Sequence, residues 1–152
     1  MGAEAEKQLS CGVLVINDSN RLLLMHAKIN SHWDIPKGVK RPDETPLQAA
    51  IRETKEETGM VLTPSQLIDL GQFEYNFKKD LHLYLHFSSG VEIGDLFCNS
   101  YFEHEGELHS EASEYEFVPL GRAELLMCGS LRRLYERTLL AIIEDKIEET
   151  GW

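Results

Sequence analysis

The segment from Gly38 to Met60 restricts this chain more than any other. It opens with Gly38-Val-Lys-Arg-Pro-Asp-Glu44 and closes with Arg52-Glu53-Thr54-Lys55-Glu56-Glu57-Thr58-Gly59-Met60. Between lie dense helix signals. Thr45 stands where an N-cap belongs, Pro46 at the first helical position, and Gln48 completes a Thr-x-x-Gln capping box. Gly59 supplies the stop. Leu47, Ala50, Ile51, Thr54 and Thr58 recur at three- and four-residue spacing and form the stripe expected to be buried.

At about 100° per residue, Glu53, Glu56 and Glu57 fall within roughly a 100° arc, displaced by roughly 110° from that stripe. The expectation is a docked helix whose acids stay open to solvent. Adjacent carboxylates repel one another and call for a cation. Oxygen-only donors select Mg²⁺ or Mn²⁺ over zinc. Three acids alone fit a solvated helix face better. Gly38, Glu44, Arg52 and Gly59 at fixed offsets need more than solvation to account for them.

The rest of the chain reads as strands around this helix. Cys11–Ile16 and Arg21–Ala27 flank a turn at Asn17-Asp-Ser-Asn20, giving a hairpin. Trp33–Ile35 is a short strand candidate ending at Pro36, followed by a loop containing Gly38. Leu67–Phe77 reads as strand with a break near Gly71. Lys78-Lys-Asp80 reads as a turn. Leu81–Phe87 alternates, placing Leu81, Leu83, Leu85 and Phe87 on one face and His82, Tyr84 and His86 on the other. Leu96–Glu103 and Tyr115–Leu120 are further strands, and Arg122–Met127 a short helix. Ser130–Ile147 is a long helix capped by Ser130, with Leu131, Leu134, Tyr135, Thr138 and Ile142 inward. The sum is an α/β fold: a mixed β-sheet packed between helices.

Composition bounds the function. A 152-residue chain with 42% hydrophobic residues is expected to form one domain with a substantial core. Residues 1–8 read as a short acidic tail without a signal-peptide core. No apolar run reaches membrane-spanning length. Cys11, Cys98 and Cys128 are too scattered for a metal ribbon or disulfide framework, so reduced thiols and a cytoplasmic location are expected. The net charge of −11 disfavours long nucleic acid and anionic membrane. It leaves a small phosphorylated substrate open, because bound metal and local lysines reverse the field inside a site.

The run Gly38-x5-Glu44-x7-Arg52-Glu53-x-x-Glu56-Glu57-x-Gly59-Met60 resembles the Nudix box. Thr54 departs from it, standing where the family usually has an aliphatic residue. The resemblance implies a Nudix-type α/β/α sandwich with the box as loop–helix–loop, and a pyrophosphatase hydrolysing a nucleoside diphosphate linked to another moiety. It implies that Glu53, Glu56 and Glu57 ligate Mg²⁺ together with the Gly38 carbonyl, and that Arg52 orients a box glutamate. Glu56, Glu57 and a glutamate outside the box compete as the general base. Upstream, Trp33-Asp-Ile-Pro-Lys37-Gly38 is similar to the entry of diadenosine tetraphosphate hydrolases, with Trp33 and Lys37 toward the substrate. Downstream, Ser110–Phe117 offers Glu111, and after it Glu114, as the additional ligand or base. His82, Tyr84 and His86 are candidates to line the nucleotide cleft, with Tyr84 stacking on a base; a covered sheet face explains them as well. Lys78 and Lys79 are candidates for phosphate contact or a plain hairpin tip.

The expected activity is Mg²⁺-dependent cleavage of a dinucleoside polyphosphate. Nucleoside triphosphates, oxidised nucleotides and RNA 5′ ends are alternatives, and a catalytically silent nucleotide-binding module is the non-enzymatic one. Monomer and homodimer are both compatible with the sequence.

Overall fold

The computed structural model describes residues 7–152. The tail expected at residues 1–8 falls mostly outside them, at residues 1–6. Gln8 is not tail: it opens β1 (Gln8–Ile16) and pairs with Lys79.

One mixed sheet organises the chain. Its order is β4 (Ile68–Asn76), β5 (Lys79–Phe87), β1, β2 (Arg21–His26) and β8 (Glu114–Pro119), with β3 (Lys37–Val39) on β1 as well. β1 and β5 run parallel over nine paired positions, and the other neighbours are antiparallel. The break expected near Gly71 is a bulge between Asp69 and Gly71. The turn after β4 is tighter than expected, because Lys79 and Asp80 already belong to β5.

Both faces of the central pair are buried, as a parallel pair covered by helices requires. Leu14, Ile16, Leu81, Leu83 and Leu85 pack against the C-terminal helix through Leu131, Tyr135, Leu139 and Ile143. On the other face Cys11, Val13, Val15 and Tyr84 pack against Ala49 and Ala50 of α1 (Pro46–Thr58). The result is the expected helix–sheet–helix sandwich. No helix among the described residues is long and apolar enough to cross a membrane. The three cysteines are free.

α1 carries the capping box of Thr45 and Gln48, and Gly59 ends it in the left-handed conformation at φ 78°. The segment expected as a strand at Leu96–Glu103 does other work in its first half. Asn99 N–H donates to Glu56 O (2.6 Å) and Phe97 N–H to Thr58 O (3.2 Å), satisfying last-turn carbonyls of α1. The Phe97 ring lies against Gly59 where a Cβ would stand. Only then does the strand β6 (Tyr101–His104) begin, forming a separate hairpin with β7 (Glu107–Ser110).

The C-terminal helix also differs. The short helix expected before it is a 3₁₀ turn, Ala123–Leu126. Then α2 (Gly129–Leu134), a π-helical turn (Tyr135–Leu139) and α3 (Leu140–Thr150) follow without interruption. Cys128, not Ser130, occupies the cap position. A wide turn moves the buried stripe one residue on, from the expected Thr138 and Ile142 to Leu139 and Ile143.

Candidate active site

The site opens where β1 changes partners. Near its end β1 pairs with β2 at Ile16 and Leu22. Near its start it pairs with β3, joining Ser10, Cys11 and Gly12 to Val39, Gly38 and Lys37. Gly38 therefore lies in a strand, not in the loop expected of it. β2 and β3 diverge, and the α1 acids meet the strand edge there.

Gly38 has a steric reason to be glycine. A Cβ at this position would overlap the Glu53 carboxylate, which rests on the strand. Glu53 is fixed from the other side by Arg52, whose Nη1 donates at 2.7 Å. The same guanidinium binds Glu44 in a fork, with Nε to Oε2 at 2.6 Å and Nη2 to Oε1 at 2.8 Å, and reaches Val39 O at 3.2 Å. This matched fork is the strong form of carboxylate recognition. The Arg52 side-chain bond holds the Glu44 carboxyl down at about 2, and Glu44 in turn raises the guanidinium pKa. Glu56 is 35% exposed along its side chain and meets Arg52 at 3.4 Å.

Glu57 departs most from expectation. It was placed with the open acids, yet only 3% of the residue is exposed. Its Oε1 accepts the Lys37 N–H at 3.2 Å, and its carbonyl accepts the Tyr115 hydroxyl. Burial, then the charges of Glu53 and Asp34, push its carboxyl up to about 10 despite Lys37 nearby. A buried acid beside a second acid is short of positive charge.

Glu53, Glu57 and Glu111 line one cavity of about 300 Å³ with Lys37, Lys79 and Gly38. An adjoining cavity of about 250 Å³ shares Lys37, Glu57 and Glu111 and adds Met25, His32 and Phe102. Chain separation hides Glu111 from the box, but the fold brings it to the same wall. Burial and the Glu53 charge raise its pKa. Glu114 points elsewhere, to His26 Nδ1 at 3.5 Å.

Lys37 Nζ is held by Asp34 at 2.9 Å. Burial alone would lower its pKa, but Asp34 and Glu57 hold it above the ordinary value. Lys79 pKa is lowered by burial and by Lys37. Asp34 and Phe102 escaped the sequence reading. Asp34 stands in the Trp33–Gly38 tract, three residues before Lys37, a spacing open to an ion pair. Phe102 carried no signal.

Four candidates lie away from this wall. Trp33 stacks on His26 with ring centroids 5.0 Å apart and packs beside the C-terminal helix cluster. Tyr84 is buried under α1, with His82 stacked on it at 5.0 Å. His82 Nε2 bonds Asp69 at 2.7 Å, and His86 Nδ1 meets Gln66 O at 3.1 Å. Of the two expectations for this face, the covered one holds, because α1 and the segment after it dock there. His86 lines a third cavity, with Met60, Val61 and Leu62.

The donors fit a hard divalent cation. They are oxygens only, Glu57 needs countercharge, and the bare Gly38 strand leaves Glu53 room at the cavity wall. Among the described residues no three acidic, His or Cys side chains close into a preformed cage. An open wall of this kind suits Mg²⁺, which keeps several waters.

Comparison with known proteins agrees with the fold and the box. The NUDIX domain model matches residues 6–138, so the chain belongs to the Nudix family and is a Nudix hydrolase. An uncharacterised 17.7 kDa protein of Enterobacteria phage T4 is 34% identical over 141 residues, covering 84% of this chain and 93% of its own. An RNA pyrophosphohydrolase of Hydrogenovibrio crunogenus is 38% identical over 85 residues, 55% of this chain and 50% of its own. Among solved structures, the MutT protein from Methanosarcina mazei superposes with a TM-score of 0.62 at 25% identity, covering 90% and 95% of the two chains. A C. elegans Ap4A hydrolase gives 0.62 at 21%, covering 94% and 99%. These likenesses do not single out the diadenosine tetraphosphate hydrolases.

Proposed function

We propose that this Nudix hydrolase is a Mg²⁺-dependent pyrophosphohydrolase of nucleoside polyphosphates, with dinucleoside polyphosphates such as diadenosine tetraphosphate as its leading substrates. One observation carries the reading: Lys37 and Lys79 share a cavity wall with Glu53, Glu57 and Glu111. In a chain of net charge −11, two lysines beside the metal-type acids provide for a substrate with several phosphate charges.

Glu53, Glu57 and the Gly38 carbonyl are the proposed holders of the metal, with Glu56 at the exposed margin. Bound Mg²⁺ supplies phosphate charge neutralisation and a water of lowered pKa. Arg52 keeps the Glu53 carboxylate aimed at the cavity. Glu111 is the proposed base: a partly buried carboxyl of raised pKa is suited to taking the proton of the attacking water. Lys37 and Lys79 orient the phosphate chain.

The test is a Mg²⁺-dependent screen of dinucleoside polyphosphates, nucleoside triphosphates, oxidised dNTPs, 5′-triphosphorylated oligoribonucleotides and NDP-sugars, with products identified by mass. Cleavage of diadenosine tetraphosphate, lost in Glu57→Gln, is the expected result. Turnover of NDP-sugars with diadenosine tetraphosphate intact refutes the substrate assignment. The Hydrogenovibrio relative favours a second reading, action on RNA 5′ ends. The net charge of −11 opposes it for long RNA, and the oligoribonucleotide arm decides.

A further inference from the structure

A second charged cleft is walled by Tyr75, whose ring faces Lys37 Nζ. Ser130, Arg133, Leu134, Arg137 and Thr138 recur at three- and four-residue spacing and share one helix face. With Glu74 and Tyr75 of β4 they enclose about 380 Å³. Two guanidinium groups dominate it. Arg133 has one side-chain bond, to Ser130 Oγ at 3.4 Å, and Arg137 has no carboxylate partner among the described residues. The adjacent Arg132, by contrast, pairs with Glu136 at 2.9 Å. The acid at the rim, Glu74, lies 3.9 Å from the Lys7 ammonium. Acids outnumber Lys and Arg by 26 to 15 in this chain. Glu74 is the acid of this cleft and lies toward Lys7, and among the described residues neither arginine forms an ion pair, which indicates an anion from outside.

Tyr75 joins this cleft to the active site. Lys37 Nζ stands 5.8 Å from the centroid of its ring, and the same residue walls the arginine cleft. Its hydroxyl is anchored against Cys128 Sγ at 3.3 Å. Lys37 and the arginines are thus neighbours across one fixed aromatic side chain. The helix is also irregular here. The π-helical turn Tyr135–Leu139 carries Arg137 and Thr138, and such turns concentrate at functional sites.

We propose that the Arg133–Arg137 cleft is an anion subsite for the phosphates of the substrate distal to the bond that is cut. It rests on the nucleoside polyphosphate reading above and adds to it a preference for longer phosphate chains. Guanidinium forks match phosphate oxygens in pairs, and groups this exposed act on capture and affinity more than on chemistry.

The variants are Arg133→Ala, Arg137→Ala, the double variant, and Arg132→Ala as a control of equal charge on the same helix. Steady-state kinetics compare diadenosine tetraphosphate with ATP in Mg²⁺. The double variant is expected to raise KM for the longer substrate about tenfold, with kcat within about twofold and the ATP constants little changed. The difference should shrink as salt is raised. Equal loss on both substrates, the same loss in Arg132→Ala, or no loss overturns the subsite. Binding is read separately, from the arginine side-chain NMR signals of metal-free wild type titrated with inorganic tripolyphosphate. Shifts confined to Arg133 and Arg137, in a protein that cleaves no nucleoside polyphosphate, would uphold the subsite and dismiss the substrate assignment. No shift at either arginine dismisses the subsite whatever the substrate proves to be.

Discussion

Replacing Glu57 by glutamine should stabilise the metal-free protein while abolishing turnover. Glu57 is buried beside Glu53 and Asp34, and its carboxyl is pushed up to about 10. An acid whose pKa is raised on folding stabilises fully below its unfolded value, and that contribution is lost as pH rises through the folded value. The window here runs from 4.5 to about 10. Keeping a carboxyl with an ordinary value of 4.5 protonated at pH 7 costs about 3 kcal/mol. Glutamine keeps the oxygen that accepts the Lys37 N–H and needs no proton. In chelator at pH 7, Glu57→Gln should therefore melt about 6–12 °C above wild type, at roughly 2–4 °C per kcal/mol for a domain of this size. The wild type should lose stability with pH at up to about 1.4 kcal/mol per unit across the window, and the variant should not. Saturating Mg²⁺ should close or reverse the gap, since a ligand at a hundred times its Kd adds about 2.7 kcal/mol to the form that binds it. Calorimetry at pH 5, 7 and 9, with chelator and with Mg²⁺, measures all three. A variant that melts at or below wild type in chelator at pH 7, with parallel pH curves, would refute the reasoning.

Gly38→Ala should fold normally, because the added methyl displaces only the flexible end of Glu53, but it should raise the Mg²⁺ concentration for half-maximal activity about 10–100-fold; unchanged Mg²⁺ dependence counts against the close-approach argument. Arg52→Lys keeps the charge and loses the fork to Glu44, for an expected cost of about 1–3 kcal/mol by denaturant titration. The depressed Glu44 pKa contributes stability above 4.5 that is lost as pH falls toward about 2, so this variant should show a shallower acid limb. Thr54 is fully buried and its hydroxyl has no partner among the described residues, so Thr54→Val should stabilise by about 1 kcal/mol, read as a higher midpoint at unchanged slope. Leu139→Ala should cost about 2–5 kcal/mol and Thr138→Ala under about 1, since the π turn puts Leu139 in the core; the reverse order would restore the regular α-helix expected from sequence.

What could be read from the sequence was local. The capping box, Pro46 and Gly59 act within a few residues of themselves, so the bounds of α1 followed from side-chain chemistry. The alternation in Leu81–Phe87 fixed which leucines face together, because the pleat allows one solution. It could not say what covers the other face, since that depends on where α1 docks. For Tyr84 both a cleft lining and a covered face were therefore open, and it lies in the core. The C-terminal stripe failed for a different reason. The 3.6-residue period was sound up to Tyr135, and one wide turn moved everything after it by a residue. No composition marks such a turn.

The site divides along the same line. Residue types and offsets in Gly38–Met60 announced a cation, and the overlap of Gly38 with Glu53 supplies the steric reason for the first of them. Helical geometry also placed Glu57 among the open acids, and there it misled. An angle around a helix axis measures direction, whereas burial depends on what stands in that direction. At Glu57 that is the β3 edge, with Lys37 N–H against the carboxylate and Tyr115 from β8 against the carbonyl. The two flanking acids of the motif therefore have different electrostatic tasks. Glu56 stays partly open to solvent, beside Arg52. Glu57 is buried beside Glu53, and the metal proposed here would supply the countercharge that its ionised form lacks. Glu111 reaches the same wall from a distant part of the chain and is only partly buried, which suits the base role proposed for it.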